Sequence, residues 1–360
     1  MNLIRIYSIS VFCGLALLLS SCGSKGEDVM SKSGFTGINF SISSLGTKTA
    51  AIMDVDSILS LGVFGYSSSS PFSLDPINRD LVPDLLYNQK AERVPGGEWT
   101  YDTIVYWPLD LSVNNTFFAY SPHSSEFSEE ANIRVSNPTA FSYPTLTYTI
   151  PEVVADQQDI LYSEPVYDKN RNSNDLQVSD GTVKYHMKHA MSWLAFVVTP
   201  TEYFSPDERY TVTWFAFMAD RLPVTSTLNL GTGKWSAPSY GLNIVYDFDL
   251  SDAAENIPPG ETARIVDPNN VLMLLPFDID SGESNATIDL IFTYDTGGGS
   301  NTTLEEYYYF IPLPTTRMSA GNVVVYAVNI SVDGISVEFK EENKIEDWIE
   351  SGVIKPGDIF

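Results

Sequence analysis

A two-residue alternation of apolar and polar side chains is the feature of this sequence that most limits its fold. It covers residues 99–107 and returns from Val183 to Val197, and in both stretches nearly every second side chain is apolar or aromatic. A period of two puts alternate side chains on opposite faces of a β-strand, whereas a helix needs a period near 3.6. Near the end of the second stretch Leu194, Phe196 and Val198 make both faces apolar. We therefore predict a strand that runs into the middle of a core.

Strand patterning continues along most of the chain, and no segment requires a helix. Further candidates are residues 37–43, 58–66, 115–121, 145–150, 210–218, 224–230, 243–250, 271–277, 286–294, 304–311 and 323–332. Asp333-Gly334 stands between two alternating runs and predicts a two-residue hairpin turn. Charged residues are only 18% of the chain, which is typical of β-rich surface proteins. The predicted fold class is all-β.

The length of the chain predicts two domains. With 360 residues it exceeds the usual size of a single domain. A polar segment, residues 167–175, is the best candidate for a linker or large loop. Short strands separated by Pro, Gly and Asn favour β-sandwiches. We predict two β-sandwich domains in tandem, residues 22–175 and 176–360, after a leader of residues 1–21.

The first 22 residues have the features of a bacterial lipoprotein leader. Arg5 precedes an apolar stretch, residues 6–19, as in a secretory signal. Leu19, Ser20 and Ser21 before Cys22 resemble a lipobox, which implies cleavage between Ser21 and Cys22 and acylation of the cysteine thiol. The alternative is an ordinary signal peptide followed by a chance cysteine.

Acylation of Cys22 would fix the place of the protein in the cell. Several acyl chains give a stable membrane anchor where one gives only marginal binding. The segment Ser24–Asp28 resembles the acidic tag that sends some lipoproteins of Bacteroides-like bacteria to the outer face of the outer membrane. Cys13 lies in the leader, so the mature chain would hold a single cysteine and form no intramolecular disulfide. We expect a surface-exposed, lipid-anchored precursor at the outer membrane.

Charge and side-chain chemistry predict no enzyme, no metal site and no cofactor. The 46 acidic against 20 basic residues argue against nucleic acid as a partner. His186 and His189 would point to opposite faces of a strand, which favours structural roles over a metal pair. His123 has no adjacent nucleophile motif. Two acidic clusters lack the ligand order of a calcium loop, and we expect solvated loops: Asp247, Asp249, Asp252 and Glu255, and then Asp278, Asp280 and Glu283.

The order of these segments resembles the fimbrillin family of Bacteroides-like bacteria, the Mfa-like subunits of type V pili. The segments that carry the resemblance are Cys22, Ile38–Ile42, Phe64-Gly65-Tyr66, Asn88-Gln89, Trp99-Thr100-Tyr101, Tyr106-Trp107-Pro108, Phe117–Pro122, Lys188–Ser192, Leu272–Pro276, Ala320–Val332 and Asp347-Trp348. The resemblance implies two transthyretin-like β-sandwich domains. It also implies export as a lipoprotein and proteolysis after a basic residue. Removal of a first strand, about residues 36–44, would then open a groove for a strand of the next subunit.

The first strand can support such an exchange. Ile38, Phe40 and Ile42 share one face, and burial of three such side chains is worth roughly 5–9 kcal/mol. A replacement strand would restore the ladder hydrogen bonds, so that the exchange is near balance. The expected partners are therefore other fimbrial subunits, as a homopolymer or as accessory subunits. Host or bacterial surface glycans and proteins are further candidates, for adhesion.

Two lysines are candidates for the processing site. Cleavage between Lys48 and Thr49 would release the first strand together with the lipid, whereas cleavage after Lys32 would release only the lipid. After Trp348 only a short tail remains, and Pro356 interrupts its alternation. A lipid-retaining anchor or tip adhesin therefore stays open beside a stalk subunit. So do a monomeric glycan-binding lipoprotein and, last, a hydrolase that uses Asp249 or Asp280.

Overall fold

The computed structural model describes most of the chain after residue 34. The described residues are 35–45, 57–74, 80–125, 131–201, 207–248, 250, 256–258, 260–264, 271–280, 285–295, 304–331 and 333–345. Several residues singled out above lie outside this part: Ser21, Cys22, Lys32, Lys48, Thr49, Asp249, Asp252, Glu255, Glu283, Trp348 and Pro356. No helix among the described residues is long and apolar enough to cross a membrane.

Strands dominate the described residues, which confirms the all-β class. They are β1 (Asn39–Leu45), β2 (Ser60–Ser68), β3 (Leu86–Glu92), β4 (Asn114–Ser121), β5 (Ile133–Val135), β6 (Thr145–Thr149), β7 (Leu161–Ser163), β8 (Val166–Lys169), β9 (Val178–Ser179), β10 (Thr182–His189), β11 (Ser192–Pro200), β12 (Arg209–Asn229), β13 (Lys234–Asp247), β14 (Ala263–Arg264), β15 (Leu272–Leu274), β16 (Phe277–Ile279), β17 (Thr287–Asp295), β18 (Leu304–Pro312), β19 (Thr316–Met318), β20 (Asn322–Ser331) and β21 (Gly334–Lys344). Two short 3-10 turns cover Phe72–Leu74 and Val154–Asp156.

Three large sheets organise these strands. The first has the order β1-β10-β7-β4-β2-β3, with β8 beside β4 and β9 beside β10. The second has the order β18-β17-β12-β6-β5, with β13 on β12. The third has the order β14-β11-β20-β21, with β15 on β11, and β16 and β19 form a separate pair.

Two hydrophobic clusters lie on opposite faces of the first sheet. In β4, Phe117 and Ala119 belong to a smaller cluster, while Phe118 and Tyr120 belong to a larger one. The larger cluster also takes in side chains from the second and third sheets. Alternate residues of β4 therefore feed both clusters, which explains why this strand is buried on both faces. The smaller cluster contains the first strand.

Most predicted strands are present, with some corrected limits. Residues 183–198 were predicted as one strand, but the structure divides them into β10 and β11, which belong to different sheets. The two candidates at 210–218 and 224–230 are one strand, β12. Residues 99–107 were predicted as a strand. They form only isolated bridges, at Thr100 and Tyr106, although Trp99, Tyr101 and Val105 pack on the smaller cluster as the alternation indicates.

The hairpin near the end of the chain is confirmed with a shifted register. β20 and β21 are antiparallel neighbours, as the Asp333-Gly334 signal predicts. Gly334, however, pairs with Ser331 as the first residue of β21, so it belongs to the strand and not to the turn. The Ser331 hydroxyl accepts a hydrogen bond from the Gly334 backbone N–H at 3.1 Å. This side-chain bond fixes the residues next to the turn.

Strand pairing crosses the region where the sequence predicts a domain boundary. β1 and β10 are paired in the first sheet, and β6 pairs with β12 in the second. β8 covers part of the predicted linker and pairs with β4. The described residues from Thr36 onward group into one compact unit. The division into domains at residue 175, and their transthyretin-like arrangement, stay predictions.

Candidate functional site: the first strand and its groove

The first strand lies at the edge of the first sheet. β1 runs parallel to β10, with Phe40 beside Val183 and Ile42 beside Tyr185. The other strand pairs of this sheet are antiparallel. A bulge between Ile42 and Ser44 interrupts the pairing near its end. Among the described residues, β10 is the only strand that pairs with β1, so the other edge of β1 makes no strand ladder.

The apolar face of the first strand is inserted into the smaller cluster. Ile38 is fully buried, Phe40 is 5% exposed, and Ile42 is partly buried against the same cluster. Asn39 and Ser43, on the other face, are exposed. The structure thus brings together the three side chains predicted to fill a groove. Their release, and the processing at Lys48 or Lys32, stay predictions.

The groove is the part of the smaller cluster that the first strand covers, and aromatic rings line it: those of Tyr101, Trp107 and Tyr185. The Phe40 ring lies 5.2 Å from Tyr101 and 6.1 Å from Tyr185, between ring centres, and is nearly parallel to the latter. Trp107 is 1% exposed, and its indole N–H donates to the Gly181 carbonyl at 3.0 Å. Tyr185 is fully buried. Such ring contacts add about 0.5–1.5 kcal/mol each beyond the area they bury.

Backbone hydrogen bonds hold the beginning of the strand from both sides. On one side the Ile38 N–H donates to the Val105 carbonyl at 2.8 Å, and the Trp107 N–H donates to Thr36 at 3.0 Å. On the other side the Asn39 N–H donates to the Gly181 carbonyl at 3.2 Å. The chain is therefore hydrogen-bonded on both sides at the start of β1, whereas the later residues of β1 pair only with β10 among the described residues.

Two tyrosine hydroxyls lie in this groove, and they differ in bonding. The Tyr101 hydroxyl donates to the Ile38 carbonyl and accepts from the Val105 N–H at 3.3 Å. Burial raises the pKa of Tyr101, and the bond from Val105 offsets part of this rise. Burial raises the pKa of Tyr185 well above its ordinary value, with a further contribution from Tyr101. The Tyr185 hydroxyl has no hydrogen-bond partner among the described residues.

The two histidines of β10 lie on opposite faces of the strand. His189 is buried and bonded through Nδ1 to Asp159, while His186 is on the opposite, more exposed face of β10. The alternation therefore placed the two rings correctly on opposite faces of the strand. No group of three or more metal-ligating side chains occurs in the part of the chain that the structure describes.

A model of the family described as fimbrillin-like matches residues 53–348. The chain belongs to the fimbrillin-like family. The match begins after β1, so the first strand lies outside the matched region. No curated protein sequence matches this fimbrillin-like chain.

Two solved structures show the same fold. A fimbrial protein from Bacteroides vulgatus is 18% identical, with a TM-score of 0.67, and the match covers 86% of this chain and 99% of that one. A protein from Bacteroides uniformis, named for a proposed role in cell adhesion, is 15% identical, with a TM-score of 0.50 and a match over 86% and 99% of the two chains. At such identities the similarity shows the fold alone.

The fimbrillin-like chain also has an open cleft away from the first strand. It has a volume of about 410 Å³ and is lined by residues of β12, β13 and β16 and by the residues next to β16. The Arg221 guanidinium lies over the Tyr240 ring, 3.7 Å from its centre, and Asp278 and Asp280 also line the cleft. The cleft thus combines an aromatic ring with hydrogen-bond donors and acceptors.

The sequence did not predict the polar contacts that the structure shows around the first strand and at the end of β10. The alternation over residues 99–107 and 183–197 placed Tyr101 and Tyr185 on buried faces. It carried no signal that the Tyr101 hydroxyl reaches Ile38, or that Asp159 meets His189. These contacts join segments that are distant in the chain, and the topology of the sheet brings them together.

Proposed function

We propose that the protein is a structural subunit of a fimbria at the cell surface, and that it associates with other fimbrial subunits. In this proposal it is exported as a lipoprotein acylated on Cys22. Cleavage after Lys48 then frees the first strand, and a strand of the next subunit takes its place. The subunit supports adhesion as part of the fibre and carries out no catalysis. Family membership and the fold of the fimbrial protein from Bacteroides vulgatus support the subunit role.

The position of β1 carries the strand-exchange part of the proposal. An edge strand can leave a sheet without breaking another strand pair, and β1 pairs only with β10 among the described residues. Its loss would leave Val183, Tyr185 and Met187 on an edge strand, although all three are fully buried while β1 is paired beside them. Uncovering these side chains is unfavourable and exposes a strand edge to aggregation. An incoming strand would remove both penalties by β-augmentation.

The fate of the lipid distinguishes a stalk subunit from an anchor or tip subunit. Cleavage after Lys48 removes Cys22 and β1 in one fragment and leaves the groove open. Cleavage after Lys32 removes the lipid and leaves β1 in place. A subunit that keeps Cys22 would stay in the outer membrane and would occupy one end of the fibre.

The experiment compares Lys48→Ala with Lys32→Ala in the full chain, expressed in a fimbriated host. We expect Lys48→Ala to abolish the detergent-resistant ladder of oligomers and to leave the acylated amino terminus in place. Lys32→Ala is the matched control, and it should form the ladder normally. Amino-terminal sequencing and mass spectrometry of surface protein identify the cut. A full ladder from subunits that retain residues 22–48 would contradict exchange of the first strand.

The cleft at Tyr240 favours glycan binding as a second candidate function. A neutral sugar presents hydroxyl groups that both donate and accept, which suits a cleft lined by Arg221, Asp278 and Asp280. The volume of about 410 Å³ lies within the range of small-ligand sites. We expect saturable binding on a carbohydrate array that Tyr240→Ala abolishes. Phe141→Ala, at another exposed aromatic, is the control and should leave binding unchanged.

A further inference from the structure

With the protein's own first strand in place, the Tyr185 hydroxyl in the groove makes no hydrogen bond to any described residue. Tyr185 is fully buried, and its hydroxyl has no hydrogen-bond partner among the described residues. The neighbouring polar atoms of the groove are bonded: the Tyr101 hydroxyl to Ile38, and the Trp107 indole N–H to Gly181. A buried hydroxyl without a partner is destabilising, because it loses its bonds to water and gains none in return.

The Tyr185 side chain is part of the contact surface of the first strand. Tyr185 lies beside Ile42 in the parallel pairing of β1 and β10. Its ring is nearly parallel to that of Phe40, with an angle of 24° between the planes. Tyr101, whose hydroxyl binds the strand itself, adds to the raised pKa of Tyr185. The resident strand presents two apolar side chains here, Phe40 and Ile42, and neither offers a hydrogen-bond acceptor.

We propose that Tyr185 selects the incoming strand: the groove fits a strand of another subunit that carries an amide or hydroxyl side chain where the resident strand has Phe40. Such a side chain would accept the hydrogen bond that Tyr185 cannot make with the resident strand. This inference rests on the proposed strand exchange. It gives the exchange a direction, because the backbone ladder is the same for both strands and the additional bond belongs only to the incoming one.

The test uses the full chain with a specific protease site in place of residues 46–50. After cleavage, the resident fragment is displaced by synthetic peptides, and its release is followed by a fluorescent label. One peptide has the sequence of residues 36–45, and the other has Phe40→Gln in the same sequence. Each peptide is titrated against the unsubstituted protein, against Tyr185→Phe and against Tyr326→Phe. The last removes a buried hydroxyl from another part of the molecule, where it binds the Pro314 carbonyl.

We expect a coupling between the peptide residue and Tyr185. Tyr185→Phe should lower the affinity of the Gln peptide relative to the Phe peptide about tenfold, as for the loss of one buried hydrogen bond. Tyr326→Phe should leave the ratio of the two affinities unchanged. Tyr185→Phe should also unfold at a temperature no lower than the unsubstituted protein, because it removes an unsatisfied group.

Different results would contradict the selection by Tyr185 and the strand exchange on which it rests. Equal affinity ratios with Tyr185 and with Tyr185→Phe would overturn the selection by Tyr185 and leave strand exchange intact. If no peptide displaces the resident fragment from any of the three proteins, strand exchange itself is overturned, and the role of Tyr185 with it.

Discussion

The hydroxyl of Tyr101 donates a hydrogen bond to the backbone carbonyl of Ile38, 63 residues earlier in the chain. The same oxygen accepts the N–H of Val105 at 3.3 Å. In a regular antiparallel ladder the Val105 N–H would bond to the carbonyl directly. A side chain therefore takes part in the backbone bonding that holds the beginning of the first strand, and it does so from a segment that forms no strand of its own.

Removal of this hydroxyl should loosen the first strand. Tyr101→Phe keeps the ring that packs on Phe40 but leaves the Ile38 carbonyl and the Val105 N–H without the bridge. We expect a loss of about 1–3 kcal/mol in the free energy of unfolding, measured by urea denaturation. Tyr240→Phe removes a hydroxyl from an exposed ring and should change stability little. Equal effects of the two substitutions would contradict the bridging role.

Gly181 should be required for the close approach of the chain before β1. Its φ is +75°, and an added Cβ would lie 2.6 Å from the Thr36 side chain and 3.0 Å from the Gly37 carbonyl. Gly96 has a similar φ of +69° but open space around its Cβ position. Both Gly→Ala changes carry the backbone penalty of about 1–2 kcal/mol, but only Gly181→Ala should also expose the first strand.

Limited trypsin digestion of the folded proteins measures this difference. We expect Gly181→Ala to be cut at the lysines around the first strand faster than Gly96→Ala, when both are digested under conditions that give them the same free energy of unfolding. Identical digestion rates would show that backbone strain alone, and not the contact with Thr36, determines the effect.

The existence of the strands was predictable because burial on one face is a local property of the sequence. The period of two predicted β10 within 183–198, and burial alternates along it as expected. The same period over 99–107 predicted the buried face but not the secondary structure. A strand needs a neighbour at ladder distance along its length, and Thr100 and Tyr106 have such a neighbour only at single bridges. Periodicity shows which side chains are buried and does not show what the backbone bonds to.

Of the contacts in the groove, only the apolar ones could be predicted from the sequence. Ile38, Phe40 and Ile42 follow one another at alternate positions, so their common face can be recognised from a few residues. The partners of Tyr101 and the isolation of the Tyr185 hydroxyl depend on which strand lies beside which. That order results from the packing of the whole sheet. The same limit applies to Asp159 and His189, which the loop before β7 and the end of β10 bring together.

The Asp159–His189 pair should contribute more to stability than the ion pair nearby. The His189 side chain is fully buried and that of Asp159 is 12% exposed, whereas Lys188 and Glu164 are 41% and 47% exposed. Asp159→Ala removes the carboxylate that is bonded to the buried imidazole and should lower the free energy of unfolding by about 3 kcal/mol. Glu164→Ala should lower it by about 0–1 kcal/mol. Guanidinium denaturation measures both, and a smaller loss for Asp159→Ala would contradict the prediction.

The buried tyrosines should make the fold sensitive to alkaline pH. Burial raises the pKa of Tyr120, Tyr148, Tyr246 and Tyr326 to about 12 each. In the unfolded chain a phenol ionises near pH 10. Since the folded pKa is the higher one, the protonated phenols contribute their full stability below pH 10, and this contribution is lost as the pH rises from about 10 to 12.

Ultraviolet absorbance of the phenolate, recorded with circular dichroism, tests this prediction. We expect an early phase near pH 10 from the more exposed tyrosines, with the β-sheet signal intact. A later phase should coincide with loss of that signal, because the buried phenols ionise only when the fold opens. The control is the same titration in concentrated guanidinium, where all tyrosines should ionise together near pH 10. A single phase near pH 10 with the sheet signal retained would show that these hydroxyls reach water in the folded protein.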